Sequence, residues 1–138
     1  LRGGNRTAQA APAPPRPAVP ERPRILVADD EASIRDLLSK TLALAEYDVD
    51  TAGDGGAAIE QLRLVDYDLL LVDLKMPGID GLTVIREAKR FRPSLPIVII
   101  TGFSSESAAI DAVNLGVSGY LTKPFRVPHV LSAAAKAR

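Results

Sequence analysis

LLLVDLKMPGIDG, residues 69–81, is the stretch that decides the fold of this chain. Leu69-Leu70-Leu71-Val72 is a short, unbroken apolar run, the pattern of a strand buried on both faces. Asp73 ends the run. Met76-Pro77-Gly78 follows as a turn, since proline presets φ and glycine admits positive φ. Asp80 begins a helix that runs to Phe91, with Leu82, Ile85 and Ala88 inward. A buried strand passing through a turn into an amphipathic helix is one βα unit of a parallel sheet.

The same unit recurs on both sides. Ile25-Leu26-Val27-Ala28 is a strand ending in Asp29-Asp30-Glu31, after which Ile34, Leu37, Leu38, Thr41, Leu42 and Ala45 fall at helical spacing. Residues 48–52 read as a second strand, and Asp54 as the cap of a helix carrying Ala58, Ile59 and Leu62. Ile97-Val98-Ile99-Ile100 is the fourth strand and ends at Thr101. Residues 104–115 read as a helix stopped by Gly116, and 118–121 as a short fifth strand before Lys123-Pro124-Phe125. A last helix starts near Pro128. Five strands alternating with five helices imply an α/β, doubly wound sandwich whose parallel sheet has the order 2-1-3-4-5. Its functional crevice belongs at the carboxyl ends of the strands.

Composition narrows the functional classes. The 138 residues suffice for one domain with one real core, and 46% of them are hydrophobic. The 17 acidic and 17 basic residues cancel, so no global field draws the molecule to nucleic acid or an anionic membrane. Cysteine is absent, which excludes disulfides and thiolate chemistry. No apolar run is long enough to span a bilayer. The only methionine is Met76, so Leu1 is no initiator and an excised piece of a longer protein is expected. Residues 8–23 hold six of the eleven prolines and almost no bulky apolar side chain. Residues 1–23 are therefore expected to be a semi-rigid linker, and 24–138 the domain.

Asp29, Asp30, Asp73, Thr101 and Lys123 all stand at or just beyond strand ends. Each has a plain structural alternative: the Asp pair as a helix N-cap, Asp73 as a turn residue, Thr101 as a cap, Lys123 as a solvated side chain. The joint placement argues against coincidence. Three neighbouring carboxylates repel one another and call for a cation, and Mg²⁺ suits a site of few carboxylates, waters and a phosphoryl oxygen.

At this point the sequence resembles a family. ILVADDE, LLLVDLKMPGIDG, IVIITG and GYLTKPF are similar, in order and spacing, to the signature blocks of response-regulator receiver domains of two-component signalling. The resemblance covers residues 24–138 and implies a (βα)5 flavodoxin-like fold. It implies Asp73 as the phosphoacceptor, taking the phosphoryl group from a kinase phosphohistidine. It also implies Mg²⁺, or Mn²⁺ in its place, held by Asp29, Asp30, Asp73 and the backbone carbonyl of Lys75. Lys123 would pair with a phosphoryl oxygen, and a cis Lys123–Pro124 bond would aim it. Thr101 and Tyr120 would form the switch, reported on the surface of the fourth helix, fifth strand and last helix. Tyr120 as a mere sheet-edge packing residue stays open, and His129 reads as a surface residue.

The implied partners are a sensor histidine kinase or a histidine phosphotransfer domain. No nucleic-acid contact or membrane insertion by this segment is expected. A cytoplasmic location, a monomer or weak dimer, and membership of a hybrid histidine kinase or multidomain regulator are expected. Two alternatives remain. An aspartyl-nucleophile phosphatase wants a general-acid Asp where Lys75 stands, and a mononucleotide-binding protein wants a phosphate-cradling loop where Asp29-Asp30 stands. The end of the first helix, Ala45-Glu46-Tyr47, lacks the usual glycine, so either the cap differs or Glu46 takes positive φ. Phe103, two residues past Thr101, is expected to hinder the water that hydrolyses the acyl phosphate. Phe103→Ala should shorten the half-life of phosphorylated protein; an unchanged half-life would overturn that role.

Overall fold

Strands rich in Ile, Leu and Val with no polar alternation must be covered on both sides, and the sheet is built that way. The computed structural model describes residues 22–102 and 114–137. The strands are β1 (Arg24–Ala28), β2 (Asp48–Ala52), β3 (Leu69–Val72), β4 (Ile97–Thr101) and β5 (Gly119–Thr122). They pair in parallel in the order β2-β1-β3-β4-β5, the order expected from the sequence. The helices are α1 (Ala32–Leu44), α2 (Gly55–Leu64), α3 (Gly81–Phe91) and a C-terminal helix (Val127–Ala137). Most of the expected helix at 104–115, Phe103 and nearly all of the expected linker lie outside the described residues.

Alternation along each strand divides the core into two layers. Leu26, Leu70, Val72, Ile97 and Ile99 point to one face and meet Ala58 and Leu62 of α2 and Val84, Ile85 and Ala88 of α3. Ile25, Val27, Leu69, Leu71, Val98 and Ile100 point to the other and meet Leu38 and Leu42 of α1 and Val130 and Ala134 of the C-terminal helix. Each fully buried Leu or Ile contributes about 2–3 kcal/mol. After Arg24 at the start of β1 the central strands carry no polar side chain until their carboxyl ends, where Asp29, Asp73 and Thr101 are buried.

Helix starts follow local chemistry. Asp54 Oδ1 accepts the Ala57 N–H at 2.8 Å, and Asp80 Oδ1 accepts the Thr83 N–H at 2.9 Å. Gly81 packs α3 onto the end of β3, and a Cβ there would overlap the Asp73 carbonyl oxygen and Leu74 Cα. Three expectations shift. Leu37 is 43% exposed, because the buried line of α1 runs through Leu38, Thr41 and Leu42. Leu82 is only partly buried, and Val84 takes the inner position on α3. The last strand lies one residue later than the expected 118–121.

The end of α1 resolves the open question about its cap. The Tyr47 N–H donates to Leu42 O at 3.1 Å and the Glu46 N–H to Ala43 O at 3.0 Å, the double bond of a Schellman cap. Tyr47 is buried in the same cluster as Leu42, which anchors the turn. Glu46 therefore takes φ of 70°, a left-handed conformation that costs a side-chain residue about 1–2 kcal/mol. Glu46→Gly should raise stability by up to about 1 kcal/mol, the relieved strain offset by glycine's larger unfolded entropy. A denaturant midpoint that falls would show that the exposed Glu46 side chain matters more than its backbone.

Candidate functional site

The site lies at the carboxyl ends of β1, β3, β4 and β5, because a sheet buried on both faces presents side chains to solvent only at its strand ends and the polar residues collect at these. Asp29 follows β1 and is 1% exposed; Asp73 follows β3 and is 5% exposed; Thr101 ends β4, fully buried. Asp73 N–H donates to Ala28 O at 2.9 Å and Lys123 N–H to Thr101 O at 2.9 Å, continuing the ladder past the strand ends. These bonds hold the loops in register, so the carboxylates and the lysine meet over the sheet edge.

Lys123 Nζ lies 2.8 Å from Asp29 Oδ2, 2.7 Å from Glu31 Oε1 and 3.0 Å from Asp73 Oδ2. The contacts to Glu31 and Asp73 are aligned hydrogen bonds. The contact to Asp29 is a charge-assisted pair at hydrogen-bonding distance, made by the most deeply buried of the three carboxylates. Burial disfavours the Lys123 ammonium, but the three carboxylates outweigh it and hold its pKa above the usual lysine range. Burial pushes the Asp29 carboxyl up, against the Lys123 ammonium and the Glu31 N–H, which both favour the anion; Asp73 adds a further upward push.

The structural alternatives are answered residue by residue. The N-cap of α1 is Glu31, and it makes no side-chain capping bond, so the acidic pair is not used to cap that helix. Asp73 Oδ1 does accept the Lys75 N–H at 3.0 Å, a turn contact, while Oδ2 faces Lys123. Lys123 is not solvated, with its side chain 14% exposed. Carboxylate oxygens of Asp29, Asp30 and Asp73 lie within 4.8 Å of one another, Asp30 from an exposed position. Together they form an all-oxygen donor set, which suits a hard divalent cation.

An open cleft of about 640 Å³ lies above these residues, lined by Asp30, Glu31, Asp73, Lys75, Met76, Pro77, Thr101, Gly102 and Lys123. A larger cleft of about 730 Å³ lies around Pro23, Tyr67 and Pro96, at the opposite ends of the strands, with Asp66 and Arg92 joined there in an ion pair. The Lys123–Pro124 bond is cis, as expected. Tyr120 is half-buried on β5, opposite Ile99, and packs against the core layer beneath α2 and α3. His129 is exposed on the C-terminal helix.

Sequence reasoning missed two residues. Glu31 entered only as part of a capping run, and its reach to Lys123 depends on the folding of two loops 92 positions apart. Arg35 donates from Nη1 to the Asp29 backbone O at 2.8 Å and stiffens the loop from inside α1. The single available signal was an Arg one helical turn past the acidic run.

A family model describing the response regulator receiver domain matches residues 25–135. The DNA-binding transcriptional regulator NtrC of Escherichia coli K12 is 36% identical over 117 residues, covering 85% of this chain and 25% of NtrC. The chain thus spans about a quarter of that relative's length. A CheY-like response regulator receiver domain protein from Methanospirillum hungatei is 26% identical with a TM-score of 0.81, covering 83% of this chain and 92% of that one. Response regulator TrrA of Thermotoga maritima, solved with Mg²⁺ and BeF, is 32% identical with a TM-score of 0.77, covering 84% and 99%.

Asp29 gives a pH prediction. A carboxyl whose folded pKa is raised destabilises the fold increasingly as pH climbs from the unfolded value through the folded one. In metal-free protein, Asp29→Asn should therefore raise the thermal midpoint near neutral pH, with the gain vanishing below about pH 4. A lower midpoint near neutrality would mean that the ion pair with Lys123 outweighs the burial of the charge.

Proposed function

The chain belongs to the response regulator receiver domain family, and on that premise we propose that Asp73 is the phosphoacceptor and that Asp29, Asp30, Thr101, Tyr120, Lys75 and Lys123 serve it. Phosphoacceptance in two-component signalling is the family's activity, and receiver domains take their phosphoryl group from histidine kinases. One observation carries the assignment. Of the three clustered aspartates, Asp73 both lines the open cleft and touches the Lys123 ammonium, at 3.0 Å.

The chemistry follows from that placement. An Asp73 oxygen forms a bond to phosphorus as the P–N bond of a phosphohistidine breaks, and the imidazole leaves with the electron pair and takes a proton. Lys75 N–H on Oδ1 fixes the carboxylate plane, so the nucleophile is oriented before the donor arrives. Lys123, anchored through its backbone to Thr101, is the cation available to a phosphoryl oxygen. Asp29, Asp30, Asp73 and the Lys75 carbonyl would hold Mg²⁺, or Mn²⁺ in its place. Bound there, the ion supplies neutralisation of the carboxylates and of the charge that develops on the transferring group. No other group is needed to generate a nucleophile, because a carboxylate is already anionic at neutral pH.

Thr101 and Tyr120 are proposed as the switch, the hydroxyl at the end of β4 meeting the new phosphoryl oxygens and the half-buried ring responding from β5. The proline-rich stretch supports a module of a longer protein, whether a hybrid histidine kinase or another multidomain regulator. The proposed donor is a histidine kinase or a histidine phosphotransfer domain. A cytoplasmic setting and a monomer or weak dimer complete the proposal; no helix of the described residues is long and apolar enough to cross a membrane.

Incubation with phosphoramidate and Mg²⁺ should add one phosphoryl group that survives acid and is lost in base. Asp73→Asn should abolish it, and chelation of the cation should slow it at least about a hundredfold, the loss of several kcal/mol of charge stabilisation. Label persisting in Asp73→Asn would move the acceptor elsewhere.

A further inference from the structure

Lys123 has three N–H donors, and three carboxylates stand within 3.0 Å of its nitrogen. Two of these belong to the phosphoacceptor and to the cation-binding set. Glu31 belongs to neither. Its side chain is 56% exposed, against 2% for Asp29 and 6% for Asp73, yet it makes the shortest of the three contacts, at 2.7 Å. It is also the N-cap residue of α1 and makes no side-chain capping bond, so the carboxylate is turned away from its own helix toward the lysine. Its backbone is tied down, since the Glu31 N–H donates to Asp29 Oδ1 at 2.9 Å. A long, solvent-facing side chain on a fixed stem reaches from the lining of the cleft to Lys123.

We propose that Glu31 is a positioning residue that holds Lys123 in a resting, carboxylate-saturated state and must release it before the lysine can neutralise an incoming phosphoryl group. This rests on Asp73 as phosphoacceptor and adds a gate to that site. The balance of charges favours the direction. Three acidic side chains contact the Lys123 ammonium and Asp30 adds a fourth carboxylate to the cluster, so each unpaired negative charge opposes an anionic donor. In the transfer, the Asp73 O–P bond forms as the donor P–N bond breaks and the amine departs with the electron pair. Lys123 can meet the phosphoryl oxygens only by giving up a present partner, and the most exposed partner is the cheapest to lose.

Two variants separate contact from charge. Glu31→Gln removes the charge, while Glu31→Asp keeps the charge on a shorter arm that favours the helix cap instead of Lys123. Both should raise the second-order rate of labelling by phosphoramidate on the order of two- to fivefold, the scale of an exposed ion pair. Both should tighten fluoroberyllate binding by a similar factor, with the thermal midpoint little changed. An unaltered or slower rate in Glu31→Gln overturns the gate. A faster Glu31→Gln beside an Asp variant that behaves as wild type also overturns it, because charge alone would then explain the effect. Failure of the wild-type chain to label at Asp73 overturns instead the reading on which the gate rests.

Discussion

The Lys123 ammonium is the interaction on which the carboxyl edge of this sheet depends. Buried or nearly buried carboxylates at the ends of β1 and β3 would repel each other in a low-dielectric setting, and Lys123 lies within 3.0 Å of both. The lysine reaches them because β5 is hydrogen-bonded to β4 through Thr101 O, and β4 in turn to β3. The sheet thus brings together charges from distant parts of the chain. Without the ammonium their repulsion would be left for another cation to offset.

That arrangement is under tension by design of the fold. Asp29 is pushed toward its neutral form by burial and held toward its charged form by Lys123. A divalent ion bound there would relieve the carboxylate repulsion, so stability and ion binding are linked through the same atoms. A core packed by Leu, Ile and Val on both sheet faces can tolerate such a site, because the cost is confined to the strand ends.

The loops add precision that neither charge nor burial supplies. Arg35 on the Asp29 carbonyl, Lys75 N–H on Asp73 Oδ1 and the close approach of Gly81 to the end of β3 fix three separate backbones around one cleft. Glu31 differs from them in being exposed and in holding Lys123 from outside. The site therefore combines rigid parts that orient the nucleophile with one loose part at its entrance.

The strand order and the residues at the strand ends were legible in the sequence. Unbroken runs such as Leu69–Val72 and Ile97–Thr101 have one stable setting, a central parallel strand, and polarity can resume only where the strand ends. Asp54 as a cap and Asp80 as the start of a helix, which it proves to cap, were legible for the same local reason. Only the tertiary structure decided what faces what. Periodicity could not separate Leu37 from Leu38, since one helical step decides which side chain meets the sheet. The missing glycine after α1 left two possibilities, and the burial of Tyr47 selected positive φ at Glu46. Glu31 looked like a capping residue because capping is a local signal, whereas its ion pair with Lys123 spans 92 positions and exists only once β1 and β5 are ordered in one sheet.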